Sequence, residues 1–84
     1  MSKWEKLLQQ ILRLSNDLRF EDLEKVLKMY GFTMTNPSGG SSHYTFRKPG
    51  YIAITIPKHK PVKKYYVELV KNVIEKEMKE NENS

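Results

Sequence analysis

Cysteine is absent from this chain of 84 residues. Its absence excludes a disulfide framework and a thiolate metal site, and it accords with a reducing compartment. There is no uninterrupted apolar run of membrane-spanning length, and no arginine-rich presequence or secretion signal at the N-terminus. The chain is therefore expected to be soluble and cytoplasmic, with no membrane partner. Carboxylates are scarce in the centre: residues 43–74 carry seven Lys/Arg against Glu68 alone. The two histidines, His43 and His59, thus lack the third and fourth ligands that zinc needs, so no metal is expected. Gly39 and Gly40 form neither a phosphate-binding P-loop nor a dinucleotide fingerprint, and no cofactor is expected. Ser41 and Ser42 adjoin His43 in sequence, where neighbouring strand side chains point to opposite faces, so a serine hydrolase has little support.

What is present is a strongly uneven charge. The net charge is +5, of which residues 1–42 contribute +1, residues 43–74 contribute +6 and residues 75–84 contribute −2. The positive field falls on the segment that holds both histidines. Such a patch attracts phosphates and gains from counterion release, so a polyanion partner is the natural inference. A solubilising lysine face is the plainer alternative. The length permits one domain, residues 1–84, with one thin core and an open surface site rather than a deep pocket.

Periodicity orders the elements. Trp4, Leu7, Leu8, Ile11 and Leu12 lie on one helical face, giving an N-terminal helix within residues 1–15. After the turn-forming Ser15-Asn16-Asp17, a second helix should run from Phe20 to Tyr30 and end at Gly31, a left-handed cap. Phe32 to Thr35 alternates as a short strand, and residues 36–41 form a loop. The next strand, Ser42 to Phe46, places Tyr44 and Phe46 on one face and His43 and Thr45 on the other. Arg47-Lys48-Pro49-Gly50 is a turn, followed by a strand with Ile52, Ile54 and Ile56 on the core face. On this pattern Phe46 faces Ile52 across a five-residue loop, and His43 lies on the outer face.

Pro57 ends that strand, and a basic connection leads to a final helix from about Val62 to Met78, with Tyr66, Leu69, Val70, Val73, Ile74 and Met78 toward the sheet. Lys63 and Lys64 occupy its first turn, against the dipole preference, which hints at an anion site. Residues 79–84 lack apolar anchors and are expected to be disordered. The fold class is α+β: an α-β-β-β-α core over residues 19–78, an antiparallel three-stranded sheet with helices on one face, plus the extra N-terminal helix.

An imidazole in a cationic setting suits RNA cleavage, which needs a base for the 2′-hydroxyl proton, an acid for the 5′-oxygen and cations around the phosphate. Histidine, with an ordinary pKa of ~6.5, exchanges protons near neutrality. An exposed strand histidine without chemistry is the alternative. Lys48, Lys58, Lys60, Lys63 and Lys64 would contact or steer the RNA. Gly39, Gly40, Ser41 and Ser42 would make the backbone turn at the site, and the glycines would allow close approach of a nucleic-acid backbone. Tyr51 and Tyr65 could stack on bases, against a purely structural role.

The run Gly40-Ser41-Ser42-His43-Tyr44-Thr45-Phe46-Arg47-Lys48-Pro49-Gly50, then Ile54-Thr55-Ile56-Pro57-Lys58-His59, resembles the HicA family of toxin mRNA interferases. Phe20-Glu21-Asp22-Leu23 through Leu27 to Gly31-Phe32 is similar to that family's first helix and its approach to the sheet. The resemblance implies a fold like the double-stranded RNA-binding domain and a metal-independent endoribonuclease of a type II toxin-antitoxin system. Its partners would be mRNA and a cognate HicB antitoxin that covers the active site. The catalytic histidine falls on His43, and His59 matches a position whose role is a second proton carrier, a phosphate contact or local structure. Where many members have Gly-Ser-His-His, an extra serine precedes His43 here and Tyr44 replaces the second histidine. A non-catalytic RNA-binding module is the alternative function, and a protein-interaction domain with an open sheet face is a third.

Overall fold

The computed structural model describes residues 2–36, 42–58 and 61–82. The elements are α1 (Lys3–Leu12), α2 (Phe20–Met29), β1 (Thr33–Thr35), β2 (His43–Arg47), β3 (Ile54–Pro57) and α3 (Lys64–Glu82). The strands pair antiparallel in the order β1-β2-β3. The architecture is the expected α+β one, an α-β-β-β-α core preceded by an extra helix.

Helix ends are set by local chemistry. The Ser2 side chain caps α1 by accepting from the Glu5 N–H at 3.1 Å, and the Asp22 carboxylate accepts from the Arg19 N–H at 3.0 Å at the start of α2. Both helices end in the same closed turn. Gly31, at φ 96°, closes α2 with Gly31 N–H to Lys28 O and Phe32 N–H to Leu27 O, each 3.0 Å. Leu14, at φ 56°, does the same for α1, with Ser15 N–H to Gln10 O at 3.0 Å. A leucine accepts this left-handed conformation at a steric cost that glycine avoids.

One apolar cluster joins all layers. Leu23, Val26 and Leu27 of α2, Phe46 and Ile56 of the sheet, and Val67, Val70 and Ile74 of α3 are fully buried. The Phe20 ring stacks at a tilt on Tyr44 (5.1 Å between centroids) and Phe46 (6.0 Å), bringing α2 to the core face of β2. Helix α1 packs along α3 through Leu7 and Ile11, and Trp4 lies 6.2 Å from the Tyr30 ring. A bond from Val62 N–H to Leu18 O (2.9 Å) ties the α1–α2 linker to the approach of α3.

Four expectations are corrected. Phe46 pairs with Ile54, not Ile52, and Ile52 is 89% exposed. The slip arises at a Lys48–Tyr51 turn of type II pattern, with Pro49 second, Gly50 third at φ 89° and Tyr51 N–H to Lys48 O at 3.1 Å. Tyr51 is drawn toward α3 instead of pairing. Helix α3 starts at Lys64 rather than near Val62, whose N–H is engaged by Leu18 O. Met78, expected toward the sheet, is 47% exposed, while Val67 in the first turn of α3 is fully buried. Finally, α3 continues through Glu82, since residues 75–80 are strong helix formers and Glu77 is anchored from outside the helix; residues 83 and 84 lie outside the described residues.

Candidate active site

The two-residue slip leaves side-chain parity intact, so β2 still divides its residues as alternation requires. Tyr44 and Phe46 face the helices, while His43, Thr45 and Arg47 face outward. His43 is exposed at the first position of β2, opposite Pro57. Beside it the ladder continues past the strand: Lys58 N–H donates to Ser42 O at 2.6 Å. The outer face is otherwise threonine-rich. Thr45 and Thr55 share a hydroxyl hydrogen bond of 3.0 Å, and the Thr33 hydroxyl donates to Arg47 O at 3.3 Å. These cross-strand bonds brace the strand that carries His43.

A groove of about 800 Å3 runs from His43 past Thr55 and Ile52 to α3, where Tyr65, Asn72 and Lys76 line it. Tyr65 is 63% exposed and forms a T-shaped pair with Tyr66 at 5.2 Å. Ile52, expected in the core, instead lines this groove, and Asn72 and Lys76 are not among the expected site residues. Tyr65, Leu69, Asn72 and Lys76 do share one face of α3 at helical spacing, which was the available signal.

The expected lysines separate into different roles. Lys48, expected at the RNA, is turned into the fold: its ammonium donates to Tyr30 O and to the Glu77 carboxylate, each 2.6 Å away. Glu77 also accepts from the Tyr51 hydroxyl at 2.7 Å. The Lys48 hydrogen bond, then that of Tyr51, holds the Glu77 carboxyl below the usual carboxylate range. Burial, then the bond to Glu77, pushes the Tyr51 phenol well above its ordinary value. The Tyr30 phenol is raised by burial and by the Glu77 charge.

Lys58 leans toward the helix side, its ammonium 4.0 Å from Glu21 and 5.9 Å from the Phe20 ring centre. Lys63 and Lys64 are exposed at the start of α3, where the Lys63 carbonyl accepts from Tyr66 N–H at 3.0 Å. Ser42 is described and exposed. Gly39, Gly40, Ser41, His59 and Lys60 lie outside the described residues. Among the described residues no group of three or more His, Asp or Glu could hold a metal ion, and no helix is long and apolar enough to cross a membrane.

The family model described as HicA toxin of bacterial toxin-antitoxin matches residues 20–76, from the first turn of α2 into α3. The chain belongs to the HicA family. The matched segment contains the whole sheet, His43 and the groove, and it leaves α1 outside. Comparison with curated proteins finds no match, nor does comparison with solved structures. As a HicA toxin domain, the chain belongs with the toxins of toxin-antitoxin systems.

Proposed function

We propose that this chain is the toxin of a type II pair and acts as an endoribonuclease that cleaves mRNA through His43, without a metal, thereby inhibiting translation and growth. The observation that carries the reading is the position of His43: exposed at the start of β2, inside the segment matched to the HicA family, and lining a groove beside a cationic helix start. RNA supplies its own nucleophile. The 2′-oxygen forms a bond to phosphorus while the bond to the 5′-oxygen breaks, leaving a 2′,3′-cyclic phosphate and a 5′-hydroxyl. One proton leaves the 2′-hydroxyl for a base and another is delivered to the 5′-oxygen.

His43 serves one of these transfers, as base or acid. Tyr44 occupies the neighbouring position of β2 and faces the core, so a second imidazole on this strand is not available. His59 is the remaining histidine and the candidate for the second proton carrier or a phosphate contact. Lys58, Lys60, Lys63 and Lys64 supply positive charge around the phosphates. Lys48 is left out of this set because Glu77 and the Tyr30 carbonyl hold its ammonium. Ser42 directly precedes His43 in sequence and is exposed. The partner of the toxin is a cognate HicB antitoxin that covers this site, and the pair acts in the cytoplasm.

The test compares wild-type and His43→Ala proteins on RNA in excess chelator, with folding followed by circular dichroism. The expected outcome is cleavage by the wild type alone, with 2′,3′-cyclic phosphate ends. Undiminished cleavage by a folded His43→Ala protein would overturn the assignment. Binding without cleavage by both proteins would instead support the RNA-binding module.

A further inference from the structure

The groove between the open edge of β3 and α3 has a composition that the proton-transfer chemistry does not use. Ile52, 89% exposed, and Tyr65, 63% exposed, both line it, together with Ala53, Ile54 and Leu69. An isoleucine and a tyrosine so exposed on adjoining elements form an apolar platform at one wall of a site that begins at His43. Besides His43 and Lys76, its polar side chains are neutral hydrogen-bonding groups: the Asn72 amide, the Thr55 hydroxyl and the phenols of Tyr51, Tyr65 and Tyr66. Among the described residues no Asp or Glu lines it. At one end Lys76 donates to Gly50 O at 3.0 Å and sits 4.2 Å from the Tyr51 ring centre. Lys63 and Lys64 directly precede Tyr65 in sequence and are exposed.

We propose that this groove is a subsite for a nucleobase of single-stranded RNA, adjoining the nucleotide whose phosphate is cleaved at His43. The proposal rests on RNA being the substrate. A base has two apolar faces and a polar rim, which match an exposed aromatic ring and isoleucine flanked by an amide and hydroxyls. Its phosphates would then lie toward Lys63 and Lys64, where cations are exposed, and no carboxylate of the groove opposes them. The volume of about 800 Å3 lies within the range of pockets that bury a small organic ligand, so a base with its sugar fits. The absence of carboxylates and the nearby lysines favour a nucleic acid over an acid-neutral peptide strand along β3. Stacking tolerates any base, so this subsite contributes affinity and position more than sequence choice.

The experiment uses a short 2′-O-methyl oligoribonucleotide, which cannot be cleaved, carrying one 2-aminopurine placed at each position in turn. Wild-type, Tyr65→Ala and Ile52→Ser proteins are compared, with folding checked by circular dichroism, and cleavage of the unmodified RNA is assayed in parallel. At one or two positions the wild type should change the 2-aminopurine emission, and both variants should lose that change. Affinity should fall by about 5- to 150-fold in Tyr65→Ala, the range that loss of one base stack implies, and less in Ile52→Ser. Emission that stays unchanged at every position, or a change that survives both substitutions, overturns the subsite. So does finding that the two substitutions weaken only the hold of a protein partner. Cleavage without the emission change would sink the subsite and leave the ribonuclease standing; the emission change without cleavage would do the reverse.

Discussion

At its Arg47 end, β2 runs into a knot of charge and aromatic rings, whereas at its His43 end, four residues earlier, it opens onto solvent and a groove. In the knot, Lys48 is bound by Glu77 of α3 and by the carbonyl of Tyr30, the residue that caps α2. Its side chain also passes close to Gly31, where an added Cβ would lie 3.7 Å from Lys48 Cε, and its ammonium lies 5.3 Å from the Tyr51 ring centre. One cation thereby links α2, the β2–β3 turn and α3. At the other end Tyr44 packs inward on Phe20, and the His43 side chain is exposed. Residues of one basic segment thus divide into those that hold the fold and those that face solvent, and burial marks the division where charge alone does not.

Substitution at the two ends should separate chemistry from stability. His43→Ala should lower the cleavage rate by roughly 100- to 10,000-fold, the usual contribution of a general acid or base, and change unfolding free energy by less than about 1 kcal/mol in urea titration. Glu77→Ala should do the opposite, lowering stability by about 2–3 kcal/mol because it strands a partly buried ammonium and a phenol, while the folded fraction still cleaves RNA.

A smaller effect follows from pH. The Glu77 carboxyl is held below its ordinary value, so the folded state binds its proton more weakly than the unfolded chain does. Its contribution is fully present above the ordinary carboxylate range and is lost as pH falls through the lowered folded value. Denaturation midpoints measured downward from neutral pH should therefore fall in the acid range, and Glu77→Gln should flatten that slope. Tyr51 has the reverse sign. Its raised phenol contributes below about pH 10 and loses that contribution as pH rises further.

The smallest effect sharpens the division among lysines. Lys63→Met or Lys64→Met should reduce the salt slope of RNA binding by about one unit, whereas Lys48→Met should leave that slope unchanged for the folded protein and lower stability instead. A reduced slope in Lys48→Met would return that residue to the RNA surface.

Much of this arrangement was legible in the residues. The 3.6-residue stripes of α1 and α2, the glycine closing α2, and the alternation that sends His43 outward each follow from local spacing. What local spacing does not carry is register across a turn. A slip of two residues keeps every side chain on its face, so Phe46 opposite Ile54 and Phe46 opposite Ile52 satisfy the same alternation. The difference shows only in Ile52, which leaves the core and becomes a wall of the groove. The role of Lys48 was hidden for another reason. Its partner Glu77 is 29 residues away, and a charge pattern does not say which distant carboxylate a lysine will meet. The catalytic role proposed for His43 comes from the family resemblance, since no local spacing distinguishes a catalytic histidine from an exposed strand histidine.

The chain has a single tryptophan, and it sits on α1, beside Tyr30 and outside the segment matched to the HicA family. Trp4 is thus a built-in optical probe of the added helix. Its emission reads the docking of α1 on the core from the side of the molecule where α2 ends, while the rest of the chain carries no competing indole. Detachment of that helix can accordingly be followed by light in the unmodified protein, separately from events at His43.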